Sequence, residues 1–127
     1  MFKSGDIFIV HKSNQQNADF GYWNHIAILT DIGVVETQTG TIVCNKLHKF
    51  INKYSKIQIY RWNIQIGQIA AKHAVAMIDE IHDEDYCITM INKVYQKACD
   101  VNPRWKIPND IVQDTRLTFI IEKIKDN

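Results

Sequence analysis

His25-Ile26-Ala27-Ile28-Leu29-Thr30-Asp31-Ile32-Gly33-Val34-Val35-Glu36-Thr37-Gln38 decides the fold, because it reads as two short apolar runs around a turn. His25 to Thr30 carries four consecutive apolar residues, a strand-length run bounded by polar positions. Asp31-Ile32-Gly33 is turn chemistry, and Val34 to Gln38 is then the antiparallel partner. Loop length sets the register. If Asp31 and Ile32 form a two-residue loop, Glu36 lies opposite Ala27, diagonal to His25 on the same face. A three-residue loop pairs Glu36 with Ile28 and turns it to the other face.

Working outward, Asp6 to His11 is a strand candidate with Ile7, Phe8, Ile9 and Val10 in a row. Lys12 to Asn24 is polar, rich in Asn and Gln, and reads as a long loop. Beyond the hairpin, Gly40 marks a turn before Thr41 to Cys44, and Lys56 to Trp62 alternates with the period of a strand. Leu117 to Lys123 is the last strand candidate. Two helices are clearer. Ile66, Ile69, Ala70, Ala74, Met77, Ile78 and Ile81 recur at helical steps. Cys87, Met90, Ile91, Val94, Tyr95 and Ala98 share a second stripe, over about Asp85 to Ala98, with Asp83 or Asp85 as its cap. A helical turn is expected after Pro108. Strands, then two helices, then a strand give an α+β class: a small antiparallel sheet or half-barrel packed against two main helices.

The chain of 127 residues fits one domain, residues 1–127. A composition of 46% hydrophobic and 23% charged residues is that of a globular protein. Lys and Arg number 15 against 14 Asp and Glu, a net charge of +1, which removes the electrostatic case for a nucleic-acid partner. No run approaches the roughly 18 apolar residues of a transmembrane segment. The N-terminal Met1-Phe2-Lys3-Ser4-Gly5-Asp6 has no signal-peptide pattern, so the cytoplasm is the expected compartment. Cys44, Cys87 and Cys99 have no CxxC spacing and fit reduced thiols better than a disulfide framework.

Cys87 is the most informative position. It falls in the first turn of an amphipathic helix, where unpaired amide N–H groups and the helix dipole stabilise a thiolate. Glu84 and Asp85 oppose that charge. The plain alternative is a buried structural cysteine. Cys44 ends a strand and Cys99 lies near a helix end, so both read as structural. His25 opens a strand directly after a polar loop, a rigid mount for a general base, or else a strand-end histidine bonded to a carbonyl. His11, His48, His73 and His82 are weaker candidates, at loop or solvent edges. Glu36 is the acid inside a strand pattern and can orient His25, or be an ordinary solvated strand glutamate. The His and Cys residues show no HxxxH, CxxC or HxE spacing, so no metal site is expected. Neither GxxxxGK[ST] nor GxGxxG is present, so phosphate cradling has no support.

Several segments together resemble a known family: Gly5-Asp6-Ile7-Phe8-Ile9, Trp23-Asn24-His25-Ile26-Ala27-Ile28, Val34-Val35-Glu36, Asp85-Tyr86-Cys87 through Tyr95, and Ile107-Pro108-Asn109-Asp110-Ile111. Their order resembles the circularly permuted NlpC-type papain-like cysteine hydrolases (YiiX-like proteins), distant relatives of the lecithin retinol acyltransferase group. The resemblance runs from residue 5 to about residue 120. It implies a permuted papain-like fold with Cys87 as nucleophile, His25 as base and Glu36 as the polar third member. It implies a thiol hydrolase cleaving an amide bond, with a peptide, a cell-wall-related fragment, another small molecule or a lipid acyl group as substrate, and no cofactor. A lipid acyltransferase or esterase, and a catalytically silent binding or interaction module, are the alternatives on the same fold. Tyr22, Trp23 and Asn24, just before the base, are candidates for the substrate groove.

Overall fold

A computed structural model describes residues 2–12, 22–82 and 86–124. Most of the expected long loop, the caps Asp83 and Asp85, and Glu84 lie outside the described residues.

Among the described residues, six strands form one antiparallel sheet: β1 (Ile7–His11), β2 (His25–Thr30), β3 (Gly33–Gln38), β4 (Thr41–Asn45), β5 (Lys56–Arg61) and β6 (Thr118–Ile124), in the order β4-β3-β2-β1-β5-β6. Among the same residues, four helices join them: α1 (Leu47–Lys53), α2 (Ile64–Ala76), α3 (Tyr86–Cys99) and α4 (Pro108–Gln113). The class is α+β, as the strand and helix pattern implies.

The strands of the deciding hairpin pair Thr30 with Gly33, Leu29 with Val34 and Ile28 with Val35. The loop is therefore the two-residue Asp31-Ile32 alternative, and continuing the register sets Glu36 opposite Ala27. The next hairpin turns through Thr39 and Gly40, both at positive φ (47° and 81°), as a tight two-residue turn requires.

Both faces of the central strands are covered, so β1 and β2 are buried on both sides, whereas the edge strand β6 is largely exposed. Ile7, Ile9, Ile26, Ile28, Val35 and Ile42 pack with α2 and α3 in one cluster. Phe8, Val10, Ala27, Leu29, Val34, Ile57 and Ile59 pack with Phe50 and Tyr54 in a second. This alternation follows the two-residue period of the strands. Fully burying each of these larger side chains stabilises the fold by about 1.5–3 kcal/mol relative to exposure.

The Gly5-Asp6 pair joins sheet to helices. Gly5 has φ 95°, and a Cβ there would lie 2.2 Å from Gly67 Cα of α2. The Tyr95 hydroxyl of α3 donates to the Gly5 carbonyl. Asp6 is fully buried and accepts from Arg61 Nε at 2.8 Å and Nη2 at 2.9 Å, tying β1 to β5.

The helices depart from expectation in two places. α2 ends at Ala76 rather than running on to Ile81. Asp79 takes φ 76°, and the chain returns to pair with the β4 edge, where Asp79 N–H donates to Ile42 O and Ile42 N–H to Glu80 O. Ile69 and Ile81 are exposed, and α2 buries Gly67, Ala70, Ala71 and Ala74, which lets it approach closely. α1 is an additional helix of seven residues, anchored by Phe50, without a side-chain cap.

Candidate active site

Two elements, β2 and α3, carry a reactive side chain at or near their start, and both side chains line one cleft. His25 is the first residue of β2, held by the pairing of Val10 with His25. Cys87 is the second residue of α3, in the first turn, where backbone N–H groups have no intrahelical partner. Strand parity puts His25 on the face of Ala27 and Leu29, with α1, whereas Cys87 belongs to the cluster under α2 and α3. Both nevertheless line one cleft of about 540 Å³, together with Lys12, Thr37, Gln38, Thr39 and Lys53.

Glu36 is the hub behind His25. Its Oε1 lies 2.8 Å from His25 Nε2 and accepts from the Tyr54 hydroxyl at 3.1 Å. Its Oε2 accepts from Asn45 Nδ2 at 2.8 Å. Tyr54 and Asn45 were not legible as site residues: one follows the short α1 and the other ends β4. With Nε2 committed to Glu36, the ring nitrogen left for a proton exchange is Nδ1.

The electrostatics follow from burial and neighbours. Burial pushes the His25 pKa down, and the charges of Lys12 and Lys53 add to that; the hydrogen bond and charge of Glu36 oppose it without reversing it. For Glu36, burial alone would raise the pKa, but the bonds from His25 and Asn45 and the Lys53 charge hold it below the ordinary value. The resting pair is therefore a neutral imidazole against a carboxylate. Burial, with the Glu36 charge and bond, pushes the Tyr54 phenol well above its usual range, so it stays a donor. Burial also lowers Lys12, with Lys53 contributing and Glu36 opposing.

The three groove candidates lie elsewhere. Trp23 is buried in the core beneath α2 and α3. Asn24 is buried and grips the backbone of Lys12, accepting from its N–H at 2.7 Å and donating to its carbonyl at 2.9 Å. Tyr22 is exposed and stacks on His11 at 4.1 Å between centroids. None of the three is among the residues lining the cleft; Asn24 acts on it through Lys12. Cys44 and Cys99 lie outside the cleft, the latter bonded to Tyr95 O at 3.0 Å.

No family model matches the chain, and no curated protein matches it. Among solved structures it is similar to the metalloprotein YiiX from Escherichia coli O157:H7, of domain family DUF1105, with a TM-score of 0.75 and 14% identity over 97% of this chain and 98% of that one. The fold is YiiX-like. At this identity the likeness speaks for the fold alone.

The name of that structure makes a metal worth testing against these side chains. Among the described residues, no three His, Cys, Asp or Glu side chains converge on one point. His25 Nε2 is taken by Glu36, and both Glu36 oxygens are occupied by donors. Among the described residues, the donor set left in the cleft, Cys87 and one ring nitrogen, falls short of the four ligands of a closed site or the three of a catalytic one. Among the described residues no helix is long and apolar enough to cross a membrane.

Proposed function

We propose that the chain is a thiol hydrolase of the permuted NlpC-type, papain-like kind, cleaving an amide bond through Cys87, His25 and Glu36. The observation that carries this reading is the buried His25–Glu36 pair at 2.8 Å opening onto the same cleft as Cys87 at the start of α3. The pair fixes the tautomer, with Nε2–H toward Glu36 and the Nδ1 lone pair toward the cleft.

His25 Nδ1 takes the Cys87 proton, and Cys87 Sγ attacks the carbonyl carbon. Glu36 stabilises the imidazolium that forms. The backbone N–H of Cys87, directed out of the first turn of α3, donates to the oxyanion. His25 then returns the proton to the leaving amine, and water, deprotonated by the same ring, releases the acyl group. The residues do this without a cofactor.

The test is labelling of the three thiols with iodoacetamide near neutral pH, followed by peptide mass analysis. Cys87 reacts faster than Cys44 and Cys99, and His25→Ala slows Cys87 at least ~10-fold by removing the base. A Cys87 rate that ignores His25→Ala leaves the fold as a catalytically silent module.

A further inference from the structure

The wall of the cleft carries a chemical bias. Besides Cys87 and His25, the described residues lining it are Lys12, Thr37, Gln38, Thr39 and Lys53, with no long aliphatic or aromatic side chain among them. The Glu36 carboxylate behind it is fully buried and receives three donors. Two ammonium groups therefore face the cleft against otherwise neutral lining residues. Neither Lys12 nor Lys53 is in a salt bridge among the described residues.

Both lysines are positioned. Lys12 Nζ lies 5.7 Å and Lys53 Nζ 5.3 Å from the centroid of the Tyr54 ring. The Tyr54 hydroxyl is held by Glu36, so one aromatic ring ties the two cations to the His25–Glu36 pair. Asn24 clamps the Lys12 backbone from the other side. Lys12 is half-buried, and a cation partly withdrawn from water acts more strongly on an anion beside it.

We infer that the cleft selects a carboxylate-bearing amide, as in an acidic peptide, with Lys12 and Lys53 receiving the carboxylate, and that it discriminates against long-chain acyl esters. The inference rests on the thiol-hydrolase reading and adds its substrate class. Two cations facing one cleft raise the local concentration of an anion by about 10-fold at low salt. The described lining is polar at its side-chain tips and holds no long aliphatic side chain to pack an acyl chain, so each added methylene gains little. Asp83, Glu84 and Asp85 precede Cys87 in the chain and lie outside the described residues; a measurement made at the Cys87 sulfur includes their effect.

Iodoacetate and iodoacetamide provide that measurement. In both, the thiolate displaces iodide from the same carbon, and they differ in carrying a carboxylate or a neutral amide. On the full chain at low salt, the ratio of the iodoacetate rate to the iodoacetamide rate at Cys87 is expected to be ~10-fold above that of glutathione. In 1 M salt it falls toward the glutathione value, because the Debye length shrinks to about 3 Å. The double substitution Lys12→Gln, Lys53→Gln lowers the low-salt ratio about fivefold or more. A ratio at or below that of glutathione, or one that survives both salt and the double substitution, overturns the inference. The salt arm needs no variant, so a misfolded double mutant leaves it decisive. Aryl esters extend the test to acyl transfer: relative to its hydroxide rate, a monoanionic p-nitrophenyl succinate is expected to exceed p-nitrophenyl octanoate in kcat/KM by ~10-fold, and a preference for octanoate overturns the inference. Failure of the underlying reading looks different: Cys87 is then slow with both reagents and indifferent to His25→Ala.

Discussion

His25 Nε2 and Glu36 Oε1 meet at 2.8 Å with both side chains buried. The contact is a product of strand register. The pairs Ile28 with Val35 and Leu29 with Val34 set Glu36 opposite Ala27, two residues from His25 on the same face. One residue more in the loop would have turned Glu36 toward α2 and α3. Glu36 is also wedged between Tyr54 and Asn45, so its carboxylate cannot swing away from the ring.

Replacing Glu36 with Gln tests whether this contact serves the reaction. Gln keeps the shape and one acceptor but removes the charge that stabilises an imidazolium. The expected result, once a substrate is in hand, is a kcat lower by about 10-fold to 10⁴-fold with KM changed far less. Cys87→Ala and His25→Ala reduce turnover to background. Wild-type kcat in Glu36→Gln would make the contact structural.

Much of the fold was legible because its signals are local. The strand from His25 to Thr30 and the strand from Lys56 announce themselves by short apolar or alternating runs, and the stripe from Cys87 to Ala98 by its helical period. The α1 helix was not legible: its seven residues span two turns, Lys46 provides no side-chain cap, and Phe50 carries most of its burial. The over-extended α2 has a physical reason too. Met77, Ile78 and Ile81 continue the apolar spacing past the helix end, but Asp79 breaks the helix at positive φ and the segment is used to cover the β4 edge. The site divides the same way. Cys87, His25 and Glu36 could be picked out by residue type and by the element each one sits on. Tyr54, Asn45, Lys12 and Lys53 owe their roles to distant pairings that no local pattern carries.

Tyr54→Phe removes one donor from Glu36 Oε1 and keeps the ring that packs on Phe50 at 4.9 Å between centroids. The lost hydrogen bond destabilises the fold by about 1 kcal/mol. Relieved of this donor, Glu36 accepts more strongly from His25, so the His25 pKa rises. The acid limb of the Cys87 alkylation profile is expected to move to higher pH in Tyr54→Phe. A purely structural role for Tyr54 would lower stability and leave that limb in place.

Thr37 Oγ1 is buried with no hydrogen-bond partner among the described residues. A buried hydroxyl in that state loses its water without replacement, a penalty of about 1–3 kcal/mol. Thr37→Val removes the hydroxyl at nearly constant volume. The expected outcome is a gain of roughly 1 kcal/mol, seen as a Tm rise of about 3–5 °C by calorimetry. A loss of stability would show that the hydroxyl has a partner in solution.

Stability should fall on the acid side in two separable stages. His25 has a folded pKa below its ordinary 6.5, because burial and the two lysines outweigh Glu36. Between the folded value and 6.5 the unfolded chain therefore binds more protons than the folded one, and stability drops as pH falls through that window. Glu36 has a folded pKa below 4.5, so its contribution is intact above 4.5 and is lost as pH falls from there through the folded value. Urea midpoints measured from about pH 7.5 down to about pH 3 follow the His25 stage and enter the Glu36 stage below it. In His25→Gln the decline beginning near 6.5 should be shallower than in the native chain, while general acid unfolding at lower pH persists. Parallel curves for the two proteins would mean that His25 titrates alike in the folded and unfolded chains, and that the neutral imidazole assigned to the resting site is wrong.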